Sequence, residues 1–288
     1  MIVTFLPSSN GFGHLNRCVL LALFFIDKGW DCNIWCPKDN FHKIIETIKE
    51  IKNKERINCL DLKMPSVNDF VKRSSLAKSF LIEASEKLAR HDLIISDNHI
   101  ENLLISKNVI LSANFFWHQN YLFNNFKDDY SIYCSEIIKR HKPYVISSEI
   151  FQDRLIMPNL KNVMIGLIAN KNSLMFNNNY KNIKDSILVS VGITDSAIYK
   201  ATHIIQKLID NKIHLTKRVY IEPRLMKYRL WPKQIEEANY TEEMYKSLIY
   251  AFIRPGLGTL VNCLSNLVCP ICFNEDKNLE MINNKNAI

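Results

Sequence analysis

The segment Gly11-Phe12-Gly13-His14-Leu15-Asn16-Arg17 places an imidazole and a guanidinium about one helical turn apart, behind a pair of glycines. It follows the apolar run Ile2–Leu6 and leads into the long apolar stretch Leu15–Asp27. Glycine lets the backbone turn sharply and approach a ligand closely. A helix start adds free N–H groups and about +0.5 of partial charge, which suits a phosphate. His14 there has the chemistry of a general base or a diphosphate contact. Arg17 can pair with phosphate or tether the loop. The dinucleotide fingerprint GxGxxG is not met, because Asn16 stands where its third glycine belongs. A tight turn carrying a solvated histidine and arginine fits the same residues.

Further groups recur at strand ends. Asp97 closes the apolar run Asp92–Ser96, where a carboxylate can orient His14 or an acceptor hydroxyl. It can equally N-cap a helix beginning near Glu101. Phe115-Phe116-Trp117-His118-Gln119 follows the run Val109–Ala113, and aromatics with His118 suit either an acceptor pocket or a plain core. Arg254-Pro255-Gly256-Leu257-Gly258-Thr259 is a second glycine turn between an apolar run and a helical stretch. Its amides and the Thr259 hydroxyl can hold a diphosphate. Asn274-Glu275-Asp276-Lys277, after Pro270–Phe273, offers carboxylates and an amide to sugar hydroxyls, or caps a last helix at Asn278–Asn286.

These positions imply the elements that must present them. Strands are expected at Ile2–Leu6, Asp31–Cys36, Ile57–Leu62, Asp92–Ser96, Val109–Ala113 and Tyr144–Ser148. Helices are expected at Leu15–Asp27, Phe41–Lys52 and Asn68–Arg90. Residues 151–185 read as loop or linker, with an Asn177-Asn178-Asn179 run. The alternation then restarts. Strands are expected at Ser186–Val191, Arg218–Ile221, Phe252-Ile253 and Pro270–Phe273, and helices at Ser196–Asp210, Met244–Ala251 and Leu257–Leu267. Near-continuous apolar strands separated by helices indicate α/β folding with parallel sheets covered on both faces. The expected division is 1–165 and 166–288, each half Rossmann-like.

Composition sets bounds. The 288 residues are 47% hydrophobic, enough for such cores, and the net charge of +8 attracts phosphate groups without choosing their source. The basic residues form no stripe and no recognition motif appears, so no nucleic-acid partner is expected. No run reaches the ~20 apolar residues of a membrane span, and the N-terminus lacks a signal pattern. A cytoplasmic location follows, with the inner membrane face open to a basic protein. The eight cysteines are scattered. Cys269-Pro-Ile-Cys272 has no second ligand pair to complete a zinc site, and buried thiols fit better.

Together, GFGHLNR at 11–17, SILVSVG at 186–192 and IRPGLGT at 253–259, followed by PICFNED and Asn286-Ala287, resemble the GT-B glycosyltransferases. Within that superfamily they are similar to the lipid-linked N-acetylglucosaminyltransferases of peptidoglycan synthesis. The run GFGHLNRC with VLLA also resembles the UDP-sugar hydrolases of pseudaminic acid synthesis. The resemblance implies two Rossmann-like domains facing across a cleft, an acceptor on the N-terminal half and a nucleotide sugar on the C-terminal half. It implies His14 at the reacting centre with Asp97 beside it, and Gly11, Gly13, Arg17 and His118 toward acceptor or phosphate. It implies Gly192, Arg254, Gly256, Gly258, Thr259, Asn262, Asp276 and Glu280 around the donor. It implies no metal and no cofactor. The donor is then a UDP-sugar and the acceptor a glycan or lipid-linked hydroxyl, in cell-envelope glycan synthesis with peripheral membrane contact. Three departures stand out: Asn262 replaces the usual ribose-binding acid, Gly192 stands alone where relatives carry two glycines, and the sequence stops at Ile288. The last implies a shortened C-terminal domain. Hydrolysis of the nucleotide sugar, or binding without catalysis, are the alternatives.

Overall fold

β1 (Ile2–Leu6) is the centre of the first sheet, and its residues show why. Val3 and Phe5 join one apolar cluster, with Leu15, Cys18 and Val19 of helix α1 (Phe12–Asp27). Leu6 joins the cluster on the opposite face. β4 (Leu93–Asp97) divides likewise, Ile94 to one side and Ile95 to the other. Successive strand residues point to opposite faces, so a strand apolar at both must be covered twice. Each fully buried Leu, Ile or Phe in these clusters contributes about 1.5–3 kcal/mol.

This computed structural model describes residues 1–9, 11–47, 53–119, 127–151, 160–169, 184–192, 195, 197–274 and 278–288. Two units divide at Ile168/Ala169. The first adds β2 (Asp31–Ile34), α2 (Lys38–Thr47), β3 (Ile57–Cys59), α3 (Val67–Val71), α4 (Ser75–Leu88), β5 (Val109–Ser112), α5 (Lys127–His141), β6 (Tyr144–Ser148) and β7 (Lys161–Ile165). Its sheet runs β3-β2-β1-β4-β5-β6-β7, with parallel pairing throughout. The second unit contains β8 (Ser186–Ser190), β9 (Arg218–Ile221), β10 (Ile235–Glu237), β11 (Leu248–Ile253) and β12 (Cys269–Cys272), ordered β10-β9-β8-β11-β12 and parallel. Both sheets reverse their strand order beside the first strand of the unit. In open α/β sheets ligands bind outside the carboxyl ends of the strands at such a reversal, which here are β1 and β4 in one unit and β8 and β11 in the other.

Several local expectations change. The helix expected over 68–90 is broken: Arg73 takes a left-handed φ of 49° and Ser74 caps a new helix at Ala77. β7 lies in the stretch read as linker; as a mostly exposed edge strand it lacks the apolar pattern that marks the others. β10 was not expected either, being only three residues long. Leu248–Ala251 extends β11 instead of a helix, which ends at Ser247. An apolar run that short fits either period until a sheet claims it. Residues 48–52, at the expected end of α2, lie outside the described residues.

Among the described residues no helix is long and apolar enough to cross a membrane. The cysteines there are unpaired, five of them buried. Cys269 and Cys272 sit at opposite ends of β12, three positions apart, so they face opposite sides of the strand.

Candidate functional site

α1 begins at Phe12, earlier than its apolar period suggested, so Gly13 and His14 lie in its first turn. Gly11 caps it at φ 112°, a conformation open to glycine, and contributes no side-chain cap. The first turn carries no acidic residue. Its N–H groups are the ones a helix cannot satisfy internally. No atom lies within 4 Å of a Cβ built on Gly13. α1 leaves the carboxyl end of β1, and Asp97 ends β4 next to it.

Three side chains meet there. His14 Nδ1 lies 2.6 Å from Asp97 Oδ2. Arg17 Nη2 donates to Asp97 Oδ1 and, at 3.5 Å, to Asn98 Oδ1. The Ser8 amide approaches Asp97 Oδ2 at 3.4 Å. Asp97 is fully buried, and the side chains of His14 and Arg17 are 13% and 11% exposed. Burial by itself would raise the Asp97 pKa. The Arg17 charge and then His14 outweigh it and hold the carboxyl well below the ordinary carboxylate value. An ionised carboxylate only accepts hydrogen bonds, so Nδ1 is the nitrogen that donates to Asp97, and in the neutral ring this makes Nε2 the acceptor. Asp97 is not the N-cap of the following 3-10 turn; that position is His99, with no side-chain cap.

The Trp117 ring stands 5.9 Å from that of His14. His118 turns inward: it is buried, stacked on Phe116, and its pKa is pushed down to about 4 by burial, with Glu101 opposing. The sequence reading missed the groups around it. Glu101 is buried beside His99 at 3.8 Å and accepts from the Tyr130 hydroxyl. Burial would raise the Glu101 pKa, but His99 and then Tyr130 prevail and lower it. The available signal was SDNHIEN, a polar series running straight on from a buried strand.

In the second unit, Gly192 follows β8 at φ 66°, and Arg254 follows β11 with its amide on Ser190 O at 3.0 Å. Gly256 N-caps the helix Leu257–Ser265, and Gly258 and Thr259 occupy its first turn. Burial pushes the Tyr245 hydroxyl well above its ordinary pKa, and the Asn262 side chain beside it opposes that shift. Asn284 Nδ2 donates to Pro255 O at 3.0 Å and so ties the helix Leu279–Asn286 to the glycine turn. Glu280 is in the first turn of that helix. Asp276 lies outside the described residues.

Glu222, at the end of β9, is the group the sequence reading overlooked here. Its Oε2 accepts from the Val191 and Gly192 amides, both at 2.7 Å, and from Ser190 Oγ at 3.1 Å. One carboxylate thus fixes the turn after β8. Leaving a buried donor unpaired costs about 1–3 kcal/mol. Glu222→Ala is therefore expected to lower unfolding free energy by about 2 kcal/mol or more, measured by urea denaturation; an unchanged midpoint would show that water replaces the carboxylate.

No family model matches the chain, and no curated protein matches it in sequence. Solved structures do match in fold. The glycotransferase of kitacinnamycin superposes with a TM-score of 0.62 at 10% identity, covering 99% of this chain and 83% of its own. Arabidopsis thaliana UGT89C1 complexed with UDP-L-rhamnose gives 0.63 at 12%, covering 100% and 82%. Phytolacca americana UGT2 complexed with UDP-2fluoro-glucose and pterostilbene gives 0.62 at 10%, covering 98% and 81%. The fold is GT-B. In this chain His14 and Asp97 stand at the strand reversal of the first unit, and Gly192 and Arg254 at that of the second.

Proposed function

We propose that the protein transfers a sugar from a nucleoside diphosphate sugar to an acceptor hydroxyl, with His14 as the base. The observation that carries this reading is the His14 Nδ1–Asp97 Oδ2 pair at a strand reversal, which directs Nε2 of the neutral ring away from Asp97. His14 Nε2 takes the proton of the acceptor hydroxyl as its oxygen attacks the anomeric carbon. The bond from that carbon to the diphosphate oxygen breaks, and the electron pair leaves with the nucleotide. Asp97 stabilises the imidazolium so formed, as an ionised partner does. The amides and Thr259 hydroxyl at Gly256–Thr259 hold the leaving diphosphate, together with Arg254. Asp276 and Glu280 bind donor hydroxyls. Gly11, Gly13 and Arg17 serve the acceptor side, with His118 behind it.

UDP is the favoured nucleotide, because two of the similar structures are complexes with UDP-sugars. A glycan or lipid-linked acceptor at an anionic membrane face suits the charge of +8. Asn262, an amide where the resemblance implies a ribose-binding acid, supports a second reading, a binding protein without turnover.

Thermal denaturation with UDP and a panel of UDP-sugars tests donor binding. A ligand at about 100 times its Kd adds about 2.7 kcal/mol to stability, so a raised Tm is expected with at least one. No rise across the panel removes the donor assignment. Product analysis then separates the chemistries: transfer needs acceptor, whereas free sugar and UDP without acceptor mean hydrolysis by the same base acting on water. Binding without either product leaves the second reading.

A further inference from the structure

We infer that Ser96 and Asn102 are positioning residues that aim the Asp97 carboxylate at His14, an inference resting on the reading of His14 as the base. The alternation of β4 separates their roles. Ile95 belongs to the cluster shared with α1, and Asp97, two residues on, faces α1 through His14 and Arg17. Ile94 belongs to the opposite cluster, and Ser96 shares its side of the strand.

There Ser96 Oγ donates to His99 O at 2.8 Å, and Asn102 Nδ2 donates to Ser96 Oγ at 2.9 Å. Ser96, His99 and Asn102 are all fully buried, so no bulk water competes for these bonds. They close the turn 96–99 around Asn98, whose φ is 62°. Few residues other than glycine, asparagine and aspartate take up that left-handed conformation, and the bonds around it hold it in place. The Asn98 amide, bonded to Ser112 O at 3.1 Å, and its Oδ1, which accepts from Arg17 at 3.5 Å, are further tethers. Asp97 therefore leaves a strand end gripped from behind, while its carboxylate reaches forward to His14. The Ser96–Asn102 pair acts through the backbone of residue 97.

The test compares Ser96→Ala, Ser96→Thr and Asn102→Ala in the full chain with UDP-sugar as substrate. Removing the grip in Ser96→Ala is expected to lower kcat about tenfold, short of the ~100-fold that misplacing a reacting group by about 1 Å costs, with KM for UDP-sugar unchanged. Ser96→Thr keeps the hydroxyl and restores kcat. The ¹⁵N shifts of the His14 ring, recorded without substrate, give a reading that stability alone does not move. They show the Nδ1–H tautomer in the parent and a mixture with Nε2–H in Ser96→Ala. If Ser96→Ala does not fold, Asn102→Ala is expected to give the same mixture. A parent-like ring spectrum in a folded alanine variant overturns the inference, and so does equal loss of kcat in Ser96→Ala and Ser96→Thr. If no variant, nor the parent, turns over any UDP-sugar, a mixed spectrum still supports the clamp and only the catalytic reading fails.

Discussion

If His14 is the base proposed above, replacing it with alanine is expected to lower turnover of the nucleotide sugar by about 100-fold or more, the range in which positioned acid–base groups act. The expectation follows from one geometric fact: Asp97 occupies Nδ1 at 2.6 Å, so Nε2 is the nitrogen free to accept a proton. Alanine removes that acceptor and leaves the Arg17–Asp97 pair in place, so folding should survive. Rates of UDP release, with and without acceptor, measure the loss. A folded His14→Ala protein with parental turnover would take His14 out of the reaction.

Asp97→Ala is expected to cost about 3–5 kcal/mol, the loss typical of removing one member of a buried ion pair. Asp97 is fully buried and Arg17 nearly so, and the variant leaves a guanidinium inside without its carboxylate. The pH dependence has a definite sign. The folded pKa of Asp97 lies below its unfolded value. Its contribution is therefore fully present above the unfolded pKa near ~3.9, and is lost as pH falls through the lower folded value. Urea midpoints of parent and Asp97→Ala should differ by a constant amount down to about pH 5 and converge in stronger acid. A gap that stays constant below about pH 3 would show that Asp97 does not hold its charge against the acid. Activity should be lost as well, because nothing then selects the Nδ1–H tautomer of His14.

Much of the architecture was legible from the sequence pattern. Runs such as ILVS at 187–190 and LIIS at 93–96 are apolar at successive positions and too short for a buried helix, which suits a sheet covered on both faces. The glycine turns at 11–13 and 256–258 gave the two loops, since glycine between a strand and a helix has few other uses. Elements without such a mark were missed. β7 is a mostly exposed edge and β10 is three residues long, so neither needs an apolar signature. Leu248–Ala251 carries residues that serve a helix or a strand, and pairing with β8 chose the strand.

The candidate site divides the same way. Residue types at strand ends named His14, Arg17 and Asp97 as groups able to do chemistry, because that is what their side chains are. Whether Asp97 capped a helix or held His14 was settled by strand order: β4 lies beside β1 although 86 residues separate Leu6 from Leu93. The same holds for Glu222, a lone acid after RVYI in sequence, which reaches the Val191 and Gly192 amides only because β9 pairs with β8. Local sequence determines what a side chain can donate or accept and which period its segment follows. Which groups face one another is decided by parallel pairing between distant segments, since that contact is stabilised by the packed sheet and not by neighbours along the chain.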